Sequence, residues 1–167
     1  MNNMLIPIKE CEFKEKVAIK FNNINEGFNK YNNSVIEGTE EAFIQFIKSA
    51  YELNGQDYSY VDFYYNVLNE EDKSTLKKLV SAEDRKALED FEKQYNEKNI
   101  YYKLTEESIP IITRLCTKEV LFSTFYFIKY PCTIWGNYNN SFPIFYNTQE
   151  LYYKYREMAA ENNINIR

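Results

Sequence analysis

Histidine is absent from the 167 residues of this chain, and that absence excludes a good deal of chemistry. Without imidazole there is no Ser-His-Asp or Cys-His nucleophile, no imidazole general base, and no zinc or iron site that needs a His ligand. Glycine and proline are scarce, at four each, and neither GxxxxGK[ST] nor GxGxxG occurs. The same scarcity leaves no flexible linker, so a single domain over residues 1–167 is expected. Cys11, Cys116 and Cys132 are odd in number and contain no CxxC pair, which argues against a disulfide framework or a thiolate zinc site. The N-terminus MNNMLIPIKE lacks the basic start and long apolar run of a signal peptide. No stretch approaches the roughly 20 apolar residues of a membrane span. The expectation is a cytoplasmic protein with no membrane segment, no metal and no cofactor.

What the chain does contain is unevenly placed. Residues 121–146 read LFSTFYFIKYPCTIWGNYNNSFPIFY, ten aromatics in 26 positions, including the only tryptophan, Trp135. This stretch has no acidic residue and one basic residue, Lys129. Residues 52–107 are the acidic part, with fourteen acidic and eight basic side chains against a net charge of −5 for the whole chain. An acidic total disfavours nucleic acid as a partner, because phosphate-backbone binding draws on a basic surface. Twenty asparagines, with many Lys, Ile and Tyr, suit an AT-rich bacterial or phage source.

Periodicity places the elements. Phe13, Val17, Phe21, Ile24, Phe28 and Tyr31 recur at spacings of three and four, which predicts one helix from about Glu10 to Tyr31. Thr39, Asn69 and Ser81 each precede carboxylates, the pattern of a capped helix start with acids at the positive end of the dipole. Val61, Tyr64, Tyr65 and Leu68 suggest a helix over 59–68, and Thr148 caps a final helix. Ile100 to Leu104 has strand character. Val120 to Tyr130 has two readings: Val120, Leu121, Thr124, Phe125 and Ile128 fit a helix capped by Thr117, while the density of β-branched and aromatic residues and the closing Pro131 favour a covered central strand, with Leu121, Phe125 and Phe127 on one face and Phe122, Tyr126 and Ile128 on the other. Cys132 to Trp135 and Phe142 to Tyr146 form a hairpin around an Asn-rich tip. Pro143 marks the latter strand as an edge or a late starter. The fold class is α+β: a mainly helical N-terminal two-thirds, a small antiparallel sheet at about 120–146, and a C-terminal helix.

Each constellation that could carry chemistry has a plain structural reading beside it. Glu40/Glu41, Glu70/Glu71/Asp72, Glu83/Asp84 and Glu106/Glu107 are accounted for as first-turn residues of helices. Cys132 and Cys116 read as small buried residues rather than reactive thiols. Most of the aromatic run reads as core. The hairpin tip differs, because Trp135, Asn137, Tyr138, Asn139 and Asn140 combine aromatic and amide groups in the manner of a recognition loop. Tyr58, Tyr60, Tyr64, Tyr65, Tyr101 and Tyr102 lie in the acidic segment, and a surface mixing tyrosine with carboxylate suits a basic protein partner, with Tyr58, Tyr60 and Asp62 as its leading candidates. The leading expectation is a non-catalytic protein-binding protein, such as an immunity protein or an inhibitor of a nuclease or defence effector. The alternatives are a small-molecule or single-stranded nucleic-acid module using the aromatic sheet, and an enzyme with carboxylate chemistry. The aromatic module needs several of Tyr126, Tyr130, Trp135 and Tyr146 around an open cleft.

Overall fold

Four consecutive buried residues, Thr124–Phe127, form the strand around which the molecule is organised. A computed structural model describes residues 4–167. In chain order the elements are β1 (Ile6–Pro7), α1 (Glu10–Lys16), α2 (Ile24–Lys30), β2 (Asn32–Glu37), α3 (Glu40–Asn54), β3 (Ser59–Asp62), α4 (Glu70–Lys78), α5 (Ala82–Gln94), β4 (Tyr101–Lys103), α6 (Ser108–Thr117), β5 (Thr124–Phe127), β6 (Cys132–Trp135), β7 (Ser141–Tyr146), α7 (Gln149–Glu161) and β8 (Asn165–Ile166). All eight strands join one antiparallel sheet in the order β1-β4-β3-β5-β6-β7-β2-β8. The fold is α+β as expected, but the sheet draws strands from the whole chain rather than from residues 120–146 alone.

Alternation along the strands sends side chains to two unlike faces. Phe125, Phe127, Ile134, Phe142, Ile144 and Tyr102 join the main core with the inward stripes of α3 to α7. Phe43 of α3 stacks on Phe142 of β7 with ring centroids 4.3 Å apart. The opposite face is covered thinly. There Phe13 of α1 packs over Tyr60, Tyr101 and Tyr126, stacking on Tyr101 at 4.0 Å. The α2 region covers the neighbouring strands, with Phe28 against Phe145 and Phe21 between Phe145 and Trp135.

Local rules account for the helix starts. The side chains of Thr39, Asn69, Ser81 and Thr148 accept the N–H groups of Ala42, Asp72, Asp84 and Leu151, each an N-cap bond. Glu106 and Glu107 instead precede their helix. Thr105 and Ser108 exchange backbone-to-hydroxyl hydrogen bonds there, closing a capping box ahead of α6.

Several expectations are corrected. The single helix over 10–31 is two short helices. Val17 leaves the helical conformation, and Asn23 starts α2 by accepting the Glu26 N–H. The apolar spacing passes through this break without registering it. A Cβ on Gly27 would lie 2.8 Å from the Phe21 ring, so the glycine gives that ring a seat on α2. The helix over 59–68 is strand β3 followed by a single 3-10 turn at Tyr65–Val67. Val61, Tyr64, Tyr65 and Leu68 fit a helical period by coincidence, while pairing with β4 and β5 decides the backbone. Strand β2 carries no apolar alternation, since Ile36 is its one fully buried residue. Pro143 lies inside the sheet, not at its edge, opposite Val35. Val35 bonds both its backbone groups to Arg167, so Pro143 owes β2 no hydrogen bond, and the β6 ladder stops one residue short of it.

Candidate aromatic cleft around Asp62

The register of four neighbouring strands builds the floor of a site on the thinly covered face. Tyr101 of β4 stands opposite Asp62 of β3, and Trp135 of β6 opposite Thr124 of β5. Val61 pairs with Phe125, so the next residues, Asp62 and Thr124, lie side by side. Tyr101, Asp62, Thr124 and Trp135 therefore form one row across the sheet. The β3–β5 ladder ends here, and the Asp62 side chain takes over: its Oδ1 accepts the Thr124 N–H at 2.7 Å and its Oδ2 accepts the Tyr126 hydroxyl at 3.1 Å.

Segments outside the sheet raise walls around this floor. Phe21, seated on Gly27, stacks on Trp135 with centroids 5.4 Å apart. Tyr64 follows β3, and Phe122 precedes β5. Tyr138 from the hairpin tip meets Phe122 edge to face at 4.8 Å. Together they enclose a cavity of about 450 Å³, within the range of roughly 300–1,000 Å³ typical of small-molecule pockets.

The tip holds its shape for identifiable reasons. A Cβ on Gly136 would lie 2.6 Å from the Ser123 carbonyl oxygen, which the Gly136 N–H itself bonds, so only glycine permits this approach. Asn139 and Asn140 are left-handed, with φ of 60° and 49°, a conformation Asn tolerates better than most residues. The Asn139 N–H donates to the Glu119 carboxylate at 2.8 Å and ties the tip to the turn after α6.

The electrostatics centre on one group. Asp62 is 5% exposed, and burial pushes its carboxyl from 3.8 up to about 7, against the opposing pull of hydrogen bonds from Thr124 and Tyr126. Burial, and then the Asp62 charge, push Tyr64 up to about 12 and also raise Tyr101 and Tyr126. Burial raises Cys116, behind Gly136, to about 12 and leaves it inert as a nucleophile. None of the thirteen residues that line the cavity is Lys or Arg. Asp62 is the one carboxylate among them, so a two-carboxylate acid–base pair is not assembled there. Among the described residues no three His, Cys, Asp or Glu side chains come together as a metal site, and no helix is long and apolar enough to cross a membrane.

Of the residues singled out from the sequence, Trp135, Asn137, Tyr138 and Asp62 come together in this cavity. Asn139 and Asn140 shape the tip but do not line it. Tyr58 is exposed near the opposite end of β3, and Tyr60 is wholly buried under Phe13 with its hydroxyl donating to the Asp57 carbonyl. Asp62 is likewise buried, so this trio forms no acidic surface. Of the four aromatics on which the sheet module depended, Tyr126 and Trp135 line the cavity, while Tyr130 and Tyr146 do not. Tyr64 and Tyr101 line the cavity rather than a protein-facing surface, Phe122 of the aromatic run stands in its wall, and Phe21 and Thr124 are site residues that the sequence does not point to. Phe21 in particular carries no local signal, because it fits the helical spacing of its neighbours. Compared with known proteins, the chain matches no family model, no curated protein and no solved structure.

Proposed function

We propose that this protein is a binding module for a small organic molecule and that the aromatic cleft is its site. The observation that carries this reading is the convergence of seven aromatic residues and one buried carboxylate on a cavity of about 450 Å³. Burying a carboxylate without a cation costs free energy that a purely structural residue would not require. Apolar walls with a few convergent polar groups are the usual form of a ligand site. Trp135 is the only tryptophan and stands in the wall, so its emission reports occupancy directly. A panel of small metabolites titrated into the full chain should contain members that change Trp135 emission saturably. Tyr64→Ala, at a ring 39% exposed at the cleft, should weaken them. If no member of the panel alters Trp135, or if Tyr64→Ala binds as tightly as the parent, the cleft is not the site.

A protein partner is the second reading, and one surface residue favours it. Leu79 is 61% exposed at the C-terminal end of α4, after Lys77 and Lys78 and ahead of the acidic start of α5. An exposed apolar residue flanked by charged ones has the form of an interface anchor with a polar rim, as an inhibitor or immunity protein would have. Leu79→Glu should then abolish a stoichiometric, salt-sensitive complex. A complex indifferent to that change would remove this reading.

A further inference from the structure

We propose that the cleft takes an organic cation, a protonated or quaternary amine whose charge lies against Asp62 and whose apolar body packs among the surrounding rings. This inference rests on the reading of the cleft as a small-molecule site and names the class of its ligand.

Asp62 has no cationic partner. Its two oxygens accept the Thr124 N–H and the Tyr126 hydroxyl, the Thr124 hydroxyl also favours its charged form, and an ionised carboxylate accepts about four hydrogen bonds; every one of these donors is neutral. Its neighbours supply no compensating charge. Thr124 and Tyr126 come from β5, Tyr101 from β4, Tyr64 from the turn after β3, and Cys116 from α6; all are neutral groups around pH 7 to 8. In the adjoining groove Lys14 and Lys30 are committed to Glu10 and Glu26 at 3.0 and 2.8 Å, and Lys20 donates to the Val17 carbonyl. The cleft therefore presents one negative charge and no positive one.

The walls complete the argument. Trp135, Phe21, Tyr64, Tyr101, Phe122 and Tyr138 turn their rings toward the same space. Aromatic faces carry partial negative charge and attract cations, most strongly where water is excluded. A ring-lined cavity with a lone buried carboxylate is thus complementary to an ammonium group at both levels. An anionic ligand would meet the Asp62 charge with nothing to offset it. Above about pH 7, where Asp62 is ionised, a neutral ligand would leave that charge uncompensated.

The test uses three probes on the full chain, read by Trp135 fluorescence and by calorimetry: choline, its neutral isostere 3,3-dimethylbutan-1-ol, and guanosine. Measurements are made at pH 8, above the value of about 7 at which buried Asp62 ionises. Choline should bind at least tenfold more tightly than the isostere. Asp62→Asn, which keeps the side-chain shape, should bring the two within threefold of each other. Tyr64→Leu, which keeps the carboxylate and removes a ring, should weaken choline more than the isostere. If the isostere or guanosine binds as well as choline, or if Asp62→Asn keeps the preference, the cation assignment is overturned while the cleft stands as a binding site. If none of the three probes perturbs Trp135, the cation assignment and the cleft reading fall together.

Discussion

Replacing Asp62 by Asn should stabilise the protein at pH 8 and flatten its stability between pH 5 and pH 8. The carboxyl is 5% exposed and holds its proton up to about pH 7, against an ordinary value of 3.8. Between those two values the folded chain binds more protons than the unfolded one. Its contribution to stability is therefore full below 3.8 and is lost as pH rises through 7. For a single group with that displacement, the loss from pH 5 to pH 8 is about 2–3 kcal/mol. Asn keeps the geometry: its carbonyl oxygen can accept the Thr124 N–H, and its amide can donate to the Tyr126 oxygen. The charge is removed while the hydrogen bonds remain.

The composition makes this window unusually clean. There is no histidine to titrate within it. Glu26, Glu37 and Glu92 are held low by hydrogen bonds from Lys and Arg partners and, for Glu92, from Tyr65, so they ionise below it. Cys116 and Tyr64, each near 12, ionise above it. Urea unfolding at four pH values should show the parent losing about 2–3 kcal/mol and the variant less than about 1 kcal/mol. If Asp62→Asn is less stable than the parent at pH 8, the hydrogen bonds to the charge outweigh its burial and Asp62 is a structural residue. The expected result is that of a group kept at a cost in stability, as functional sites commonly are.

Further substitutions test the ion pair between α5 and α6 and the frame of the cleft. Arg114 grips Asp84 with two hydrogen bonds of 2.9 and 2.6 Å, and Asp84 is 3% exposed; Arg114→Ala strands that carboxylate and should cost about 3–5 kcal/mol in urea unfolding. Gly136→Ala places a methyl 2.6 Å from the Ser123 carbonyl oxygen; it should cost about 1–3 kcal/mol and shift Trp135 emission as the tip moves. Asn139→Ala puts a less tolerant residue at φ 60° and should lose about 1–2 kcal/mol by thermal or urea unfolding. Phe21→Ala removes the ring stacked on Trp135 and should red-shift its emission by admitting water, with a smaller change at the main core.

How much of this was legible in the sequence varies with the range of the interactions involved. The caps at Thr39, Asn69, Ser81 and Thr148 are local rules read from three or four residues, and they hold. The two apolar faces of β5 were visible as alternation, with Phe125 and Phe127 in the main core and Tyr126 and Ile128 on the other side. The hairpin with Trp135 and Tyr138 at its tip was visible from Gly and Asn. Strand β3 was not, because Ser-Tyr-Val-Asp is as compatible with one helical turn as with a strand until Tyr101 and Phe125 come beside it. The site shares that fate. Asp62 meets Thr124 and Tyr126 across more than sixty residues of chain. Nothing near it in sequence distinguishes it from the thirteen other acidic residues in 52–107.

The most direct test of the central claim is to map choline onto the backbone amides by NMR at pH 8. The cleft account predicts saturable shifts at Asp62, Thr124, Trp135, Gly136 and Tyr138, together with the single indole N–H of Trp135. It predicts little change at Tyr58 or Leu79, which lie outside the cavity. Shifts confined to the exposed acidic starts of α4 and α5, with Trp135 unmoved, would contradict it.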